Sequence, residues 1–185
     1  MTTIFTIGHS RHPADRFIDL LRWHGVATLI DVRRKPWSRL NPQFNRDRLA
    51  AALEAEGIGY VHLEDLGGLR EEGADAPSPH TGWRNSFLRS YAGYACTPAF
   101  GAALEALLAA ARRSACGIMC AEGDWRHCHR QIVADYLLSR GVDVRHILPD
   151  GAIEPAALTP FAAPRDDGAI LYPERKGRQL DLGLG

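Results

Sequence analysis

Ala115-Cys-Gly-Ile-Met-Cys120, followed by Ala121-Glu-Gly-Asp-Trp-Arg-His-Cys-His-Arg130 and Gln131-Ile-Val-Ala-Asp-Tyr-Leu-Leu-Ser139, decides how this chain is read. The first six residues form an apolar run short enough for a buried strand. The last nine place their apolar residues at helical spacing. The polar segment between them is therefore a strand-to-helix turn. In an open α/β sheet such a turn opens into the crevice at the carboxyl ends of the strands, where ligands bind. This turn carries thiols, imidazoles, guanidiniums and carboxylates.

The same alternation extends outward. Thr3-Ile-Phe-Thr-Ile7, Thr28-Leu-Ile-Asp-Val32, Tyr60-Val-His-Leu63 and Val144-Arg-His-Ile-Leu148 read as further strands. Helical spacing separates them. Phe17, Leu20, Leu21 and His24 follow Pro13 and stop at Gly25. Asp47 to Ala55 stops at Gly57, and Pro98 to Arg113 carries Phe100, Leu104, Leu107 and Leu108 on one face. Residues 69–86 lose all periodicity, and helical patterning returns near Phe87-Leu-Arg-Ser-Tyr91. Strands alternating with helices predict a three-layer α/β fold, with a mainly parallel sheet of about five strands and helices on both faces. We read residues 1–150 as a single α/β domain. Residues 151–185, rich in Gly, Pro and charge, form a C-terminal extension packed on it, with a short strand at Ala169-Ile-Leu-Tyr172.

Composition narrows the classes of function. Of 185 residues, 45% are hydrophobic and 24% charged, with no net charge, which is ordinary for a globular domain and argues against a generally basic nucleic-acid binder. No apolar run approaches the ~20 residues needed to span a bilayer. The start of the chain lacks the pattern of a signal peptide. The chain therefore reads as cytoplasmic and not membrane-bound. In that setting four cysteines read as packing residues, reactive thiols or metal ligands rather than a disulfide framework.

The polar motifs all fall at strand ends. His9 follows strand one, Arg33 follows strand two, Gly67 and Gly68 follow strand three, and Cys120 and Glu122 close strand four. Parallel strands bring these ends to one edge, so the residues are expected to converge.

The motifs Thr6-Ile-Gly-His-Ser10, Asp31-Val-Arg33, Asn41-Pro-Gln-Phe44, Leu66-Gly-Gly68, Cys120-Ala-Glu122 and Cys128-His-Arg130 together resemble the Domain of Unknown Function 488 family. The resemblance runs from residue 3 to about 150. It implies a single cytosolic α/β domain with its site at these motifs, and no activity. Relatives often carry a proline where this chain has Gly123-Asp-Trp-Arg-His127.

The chemistry expected of the crevice follows from residue type. Cys120, facing a helix start with Arg126, His129 and Arg130 nearby, is the candidate nucleophile or redox thiol. Glu122 and His9 are the candidate proton carriers. Arg33 and Arg130 would clamp an anion, with Gly67, Gly68, His129 and Trp37 completing the substrate site. Asp31 more simply pairs with Arg33. Only one of Cys128, His129 and Arg130 can point well at the crevice if they open a helix. The Cys120-to-Arg126 spacing matches a phosphate-cradling loop, but one spacing arises easily by chance. If a metal is bound, its ligands are Cys120, Cys128, His129 and His9, although no tight Cys-x-x-Cys pair is present.

The leading expectation is an enzyme acting on a small anionic substrate, phosphate- or nucleotide-like, by thiol-dependent hydrolysis or group transfer. The alternatives are a nucleic-acid or anion-binding module using Trp37 and the basic loop Arg33–Arg39, or a Cys/His metal protein. Cofactor and oligomeric state are not specified by the sequence.

Overall fold

The computed structural model describes residues 2–68 and 78–174. Part of the loop expected over 69–86, and the end of the C-terminal extension, lie outside the described residues. The chain runs β1 (Thr3–Gly8), α1 (Ala14–Trp23), β2 (Thr28–Asp31), α2 (Arg46–Ala55), β3 (Gly59–His62), α3 (Ser86–Tyr94), α4 (Pro98–Ala111), β4 (Cys116–Cys120), α5 (Arg130–Leu138) and β5 (Asp143–Ile147). Three short strands follow: β6 (Ile153–Pro155), β7 (Ala163–Pro164) and β8 (Ile170–Leu171).

Local sequence sets most of these boundaries. Thr97 Oγ1 accepts the Phe100 N–H and Pro98 takes the first helical position, so α4 starts where its cap residues dictate. Gly25, Gly57 and Gly141 end α1, α2 and α5 at φ of 68°, 71° and 73°. In each case the next residue, Val26, Ile58 or Val142, donates its N–H five residues back, to Leu21, Leu53 or Leu137. This Schellman closure needs the left-handed glycine and tucks an apolar side chain under the helix end.

The main sheet has the order β3-β2-β4-β1-β5-β6. Its first five strands are parallel, and β6 pairs antiparallel with β5, Ile147 facing Ile153. Every residue of β4 is buried, as expected of a central parallel strand covered on both faces. The crossovers β1-to-β2 and β2-to-β3 run one way along the sheet and place α1 and α2 on one face. There Phe17, Leu21, Leu49 and Leu53 pack on Leu29, Met119 and Ile147. The crossovers to β4 and β5 run the other way and place α3, α4 and α5 on the opposite face, over Ile4, Ile30, Ile118 and Val144. The three-layer α/β architecture follows from this arrangement. The loops after β1 and β2 thus diverge from the loop after β4, and a crevice opens between them.

The tail returns over α5. Asp135, buried on that helix, accepts the Thr159 N–H at 2.8 Å and the Tyr172 O–H at 3.0 Å. Burial lifts its carboxyl to about 6. Tyr136 Oη accepts the Ile170 N–H at 3.0 Å, anchoring β8. Among the described residues, no single helix is long and apolar enough to cross a membrane.

Candidate functional site

The crevice holds a cavity of about 320 Å³. Cys120 from the end of β4 and His129 from the start of α5 line its inner end. His9 and Arg33, which follow β1 and β2, line its side. Lys35 and Trp37 come from the loop between β2 and α2. Trp37 is 65% exposed and stands at the mouth. Backbone pairing fixes this edge past the strands, with His9 N–H on the Cys120 carbonyl and Ser10 N–H on the Ala121 carbonyl. Ser10 holds a left-handed φ of 47° there, a strained conformation for a residue with a side chain.

Arg33 is braced rather than free. Its Nε donates to Asp31 Oδ1 at 2.9 Å, and its Nη2 donates to Asp31 Oδ2 at 2.6 Å and to the Phe44 carbonyl at 2.7 Å. Its Nη1 donates to His9 Nε2 at 3.3 Å. Asp31 is fully buried and also accepts the Tyr60 O–H at 2.7 Å. The Arg33 guanidinium lines the cavity and has five N–H bonds. These contacts leave one Nη1 N–H without a protein partner among the described residues. His9 has a single role in this brace. Its Nδ1–H donates to the Ser10 carbonyl at 3.0 Å, so Nε2 presents the lone pair to Arg33. Burial, with the Arg33 charge alongside, lowers its imidazole to about 4. His9 is therefore neutral near pH 7, and both its nitrogens are engaged.

At the inner end two thiols meet one imidazole. Nδ1 of His129 lies 3.8 Å from Cys120 Sγ and 3.6 Å from Cys128 Sγ. The other ring nitrogen, Nε2–H, donates to the Val32 carbonyl at 3.0 Å, which turns Nδ1 towards the sulfurs. Arg130 Nε donates to Cys128 Sγ at 3.3 Å. The hydrogen bond with Cys128, and then burial, push the Cys120 thiol well above the ordinary thiol range. Burial also opposes ionisation of Cys128, but the Cys120 S–H, His129 and Arg130 outweigh it and bring its thiol well below the ordinary thiol range.

This is a correction. Cys120 was expected to be the thiolate, stabilised by a helix start. The helix begins only at Arg130, after a short 3₁₀ turn over Trp125–His127, and of the two thiols it is Cys128 that is shifted down and Cys120 that is shifted up.

The other expected site residues divide. His9, Arg33, Gly68, Trp37, Cys120 and His129 line the one cavity. Glu122 does not, because its carboxylate is exposed and accepts the Asp124 N–H at 3.3 Å. Its carbonyl is the part that serves, accepting from Arg130 Nη2. Arg130 is fully buried and spends its guanidinium on Cys128 and on the Glu122 and Gly123 carbonyls, so it braces the turn instead of clamping an anion. Gly67 approaches the Arg34 backbone so closely that a Cβ would sit 2.6 Å from it. Arg126 is exposed, lies over the Trp125 ring and pairs with Glu154 at 2.7 Å. It is not part of a phosphate loop around Cys120.

Sequence reasoning missed Ser10, Asn41 and Phe87, which also line the cavity. Ser10 and Asn41 lay within quoted motifs. Phe87 carried no signal beyond its place in a helix.

A family model described as Domain of unknown function DUF488 matches residues 13–137, more than half of the chain. The matched segment contains Arg33, Gly68, Cys120, Cys128 and His129 but not His9 or Ser10. Comparison with curated proteins and with solved structures gave no match.

Proposed function

This chain belongs to the Domain of unknown function DUF488 family, and from that premise we propose that it is an enzyme acting on a small anionic substrate. One observation carries the reading. A single cavity is lined by the Cys120 thiol and the His129 imidazole at its inner end, with the Cys128 thiol close behind them, and by cationic groups along its side. Its volume, about 320 Å³, falls within the range of small-molecule sites.

Lys35 and the spare N–H of Arg33 take the anionic group of a phosphate- or nucleotide-like substrate. Trp37 and Phe87 offer aromatic faces for a ring attached to it. His129, its Nδ1 turned towards Cys120, completes the inner end of the substrate site. The reaction is hydrolysis or group transfer and depends on the thiols. A cytosolic location, where thiols stay reduced, belongs to the same reading. So does the division of the chain into one α/β domain with an extension packed on it.

The test is binding and turnover with a panel of nucleoside phosphates and inorganic phosphate. Lys35→Ala should weaken binding several-fold without unfolding the protein, and Cys120→Ser should abolish turnover while the anion still binds. Cys96→Ser, which alters an exposed cysteine away from the cavity, should change neither. Binding without turnover would make the protein an anion-binding module. Steep loss of oligonucleotide binding with salt would point to a nucleic-acid partner. Turnover that survives Cys120→Ser would refute the thiol-dependent reaction.

A further inference from the structure

We propose that Cys120 Sγ, Cys128 Sγ and His129 Nδ1 bind one zinc ion, whose fourth coordination position opens into the cavity. That open position rests on the reading of the cavity as a substrate site. The thiols then serve as metal ligands, not as an attacking sulfur.

The first support is distance. The three donor atoms lie within 4.8 Å of one another, and the two sulfur–nitrogen separations are 3.8 and 3.6 Å. A tetrahedral zinc with Zn–S of about 2.3 Å and Zn–N of about 2.0–2.1 Å separates sulfur from nitrogen by roughly 3.5 Å, and sulfur from sulfur by roughly 3.8 Å. The two sulfur–nitrogen separations already stand close to the edges of that tetrahedron.

The second support is orientation. A metal-binding imidazole ordinarily donates its other N–H to an oxygen, which fixes the ring and raises its basicity. The Val32 carbonyl accepts from His129 Nε2 in that way. The ring is also held by Tyr91, 5.0 Å away centroid to centroid. Gly68 keeps the space beside the donor nitrogen, since a Cβ there would lie 2.5 Å from Nδ1. Arg130 Nε–H on Cys128 Sγ supplies an outer hydrogen bond to one sulfur.

The third support is the choice of metal and the open side. Thiolate and imidazole ligands in tetrahedral array select zinc over the hard cations. Cys120, His129 and Gly68 line the cavity whereas Cys128 lies behind them, so three protein ligands leave one position on the cavity side. Three ligands with one position open is the pattern of catalytic zinc, as against the closed four-ligand structural sites. His9, counted from sequence as a fourth ligand, is excluded by its engaged nitrogens.

The test uses the full chain, reduced and stripped of metal. Zinc(II) should bind at one per chain and protect Cys120 and Cys128, but not Cys96, from alkylation as read by mass spectrometry. This arm needs no variant and so survives any variant that fails to fold. Cobalt(II) in place of zinc should give the intense visible bands of a tetrahedral site with a sulfur-to-cobalt charge-transfer band. Inorganic phosphate should shift the visible bands. Cys128→Ser and His129→Ala should each weaken zinc binding by more than the roughly 10–100-fold that loss of an outer-shell partner costs.

No zinc uptake at micromolar concentration, or uptake that leaves both thiols open to alkylation, overturns the metal site. Phosphate binding in that metal-free protein would leave the anionic-substrate reading standing. Zinc bound as described but with cobalt bands indifferent to phosphate, and no phosphate binding by the cavity, would keep the metal and remove the anionic substrate.

Discussion

Asp31→Asn should cost this protein about 3–5 kcal/mol, although it removes no atom from the packing. Asp31 is fully buried and Arg33 nearly so. The carboxylate takes the Arg33 N–H at 3.0 Å, Nε at 2.9 Å, Nη2 at 2.6 Å and the Tyr60 O–H at 2.7 Å. An amide keeps one accepting oxygen and turns an NH₂ towards donors that need an acceptor. A buried guanidinium is then left without its counter-charge. Removing one partner of a buried pair costs far more than the pair contributes when intact, because the orphaned charge stays out of water. Against a total stability of about 5–15 kcal/mol, such a loss is a fifth or more. For a domain of this size it lowers Tm by roughly 6–20 °C. Urea denaturation with an unchanged m-value, together with calorimetry, gives the number. Replacing both partners, Asp31→Leu with Arg33→Met, should recover at least half of the loss, since neither charge is then stranded. A loss below about 1 kcal/mol for Asp31→Asn, or a double variant no better than the single one, would refute the buried-pair account.

Three further outcomes follow from geometry already described. Gly68→Ala should destabilise by about 1–3 kcal/mol and impair phosphate binding, because the new Cβ meets His129 Nδ1 at 2.5 Å and Phe87 Cζ at 2.9 Å; unchanged denaturation and binding curves would contradict the close approach. Asp135→Asn should make the protein lose more stability on acidification from pH 6 to 4 than the parent does. The parent's folded state holds a proton on Asp135 up to about pH 6, whereas the unfolded carboxyl releases it near ~4, so this group adds up to roughly 3 kcal/mol as pH falls through that window. His9 and His146, both lowered to about 4 by burial, lose stability over the same range in both proteins; parallel pH curves for parent and variant would rule out the Asp135 contribution. Arg126→Ala should leave phosphate binding unchanged, because that guanidinium faces Glu154 and solvent; a marked loss would restore the Cys120-to-Arg126 phosphate loop.

The parts of this molecule legible in the sequence were those set by local rules. The first five strands stood out as apolar runs, and Gly25 and Gly57 marked two helix ends that the backbone does close. Strand β6 was not legible. Ile153-Glu-Pro155 carries one strong strand former and a proline, and it pairs because the edge of β5 is there to receive it. The site was half legible. Convergence of His9, Arg33, Gly68 and Cys120 follows from parallel strands ending at one edge. Cys128 was harder to place, because helical spacing does not apply to it. It is extended, at φ −117° and ψ 147°, two residues before α5, and follows a 3₁₀ turn that brings its sulfur back beside Cys120 at the end of β4. Glu122 and Val32 act through carbonyls, which no side-chain pattern reveals.

The position of β1 has a consequence for synthesis on the ribosome. It is the fourth strand of six in space but the first in the chain, and its two neighbours begin at residues 116 and 143. At roughly 5–20 residues per second, the strand waits on the order of ten to thirty seconds for its second partner. Until β4 is made, Ile4 and Ile7, fully buried in the finished sheet, are carried on a segment with both edges unpaired, and one edge stays unpaired until β5 follows. The nascent chain therefore presents this strand long before it can shelter it, which marks the β1 segment as a place where a ribosome-associated chaperone would have a long time to bind.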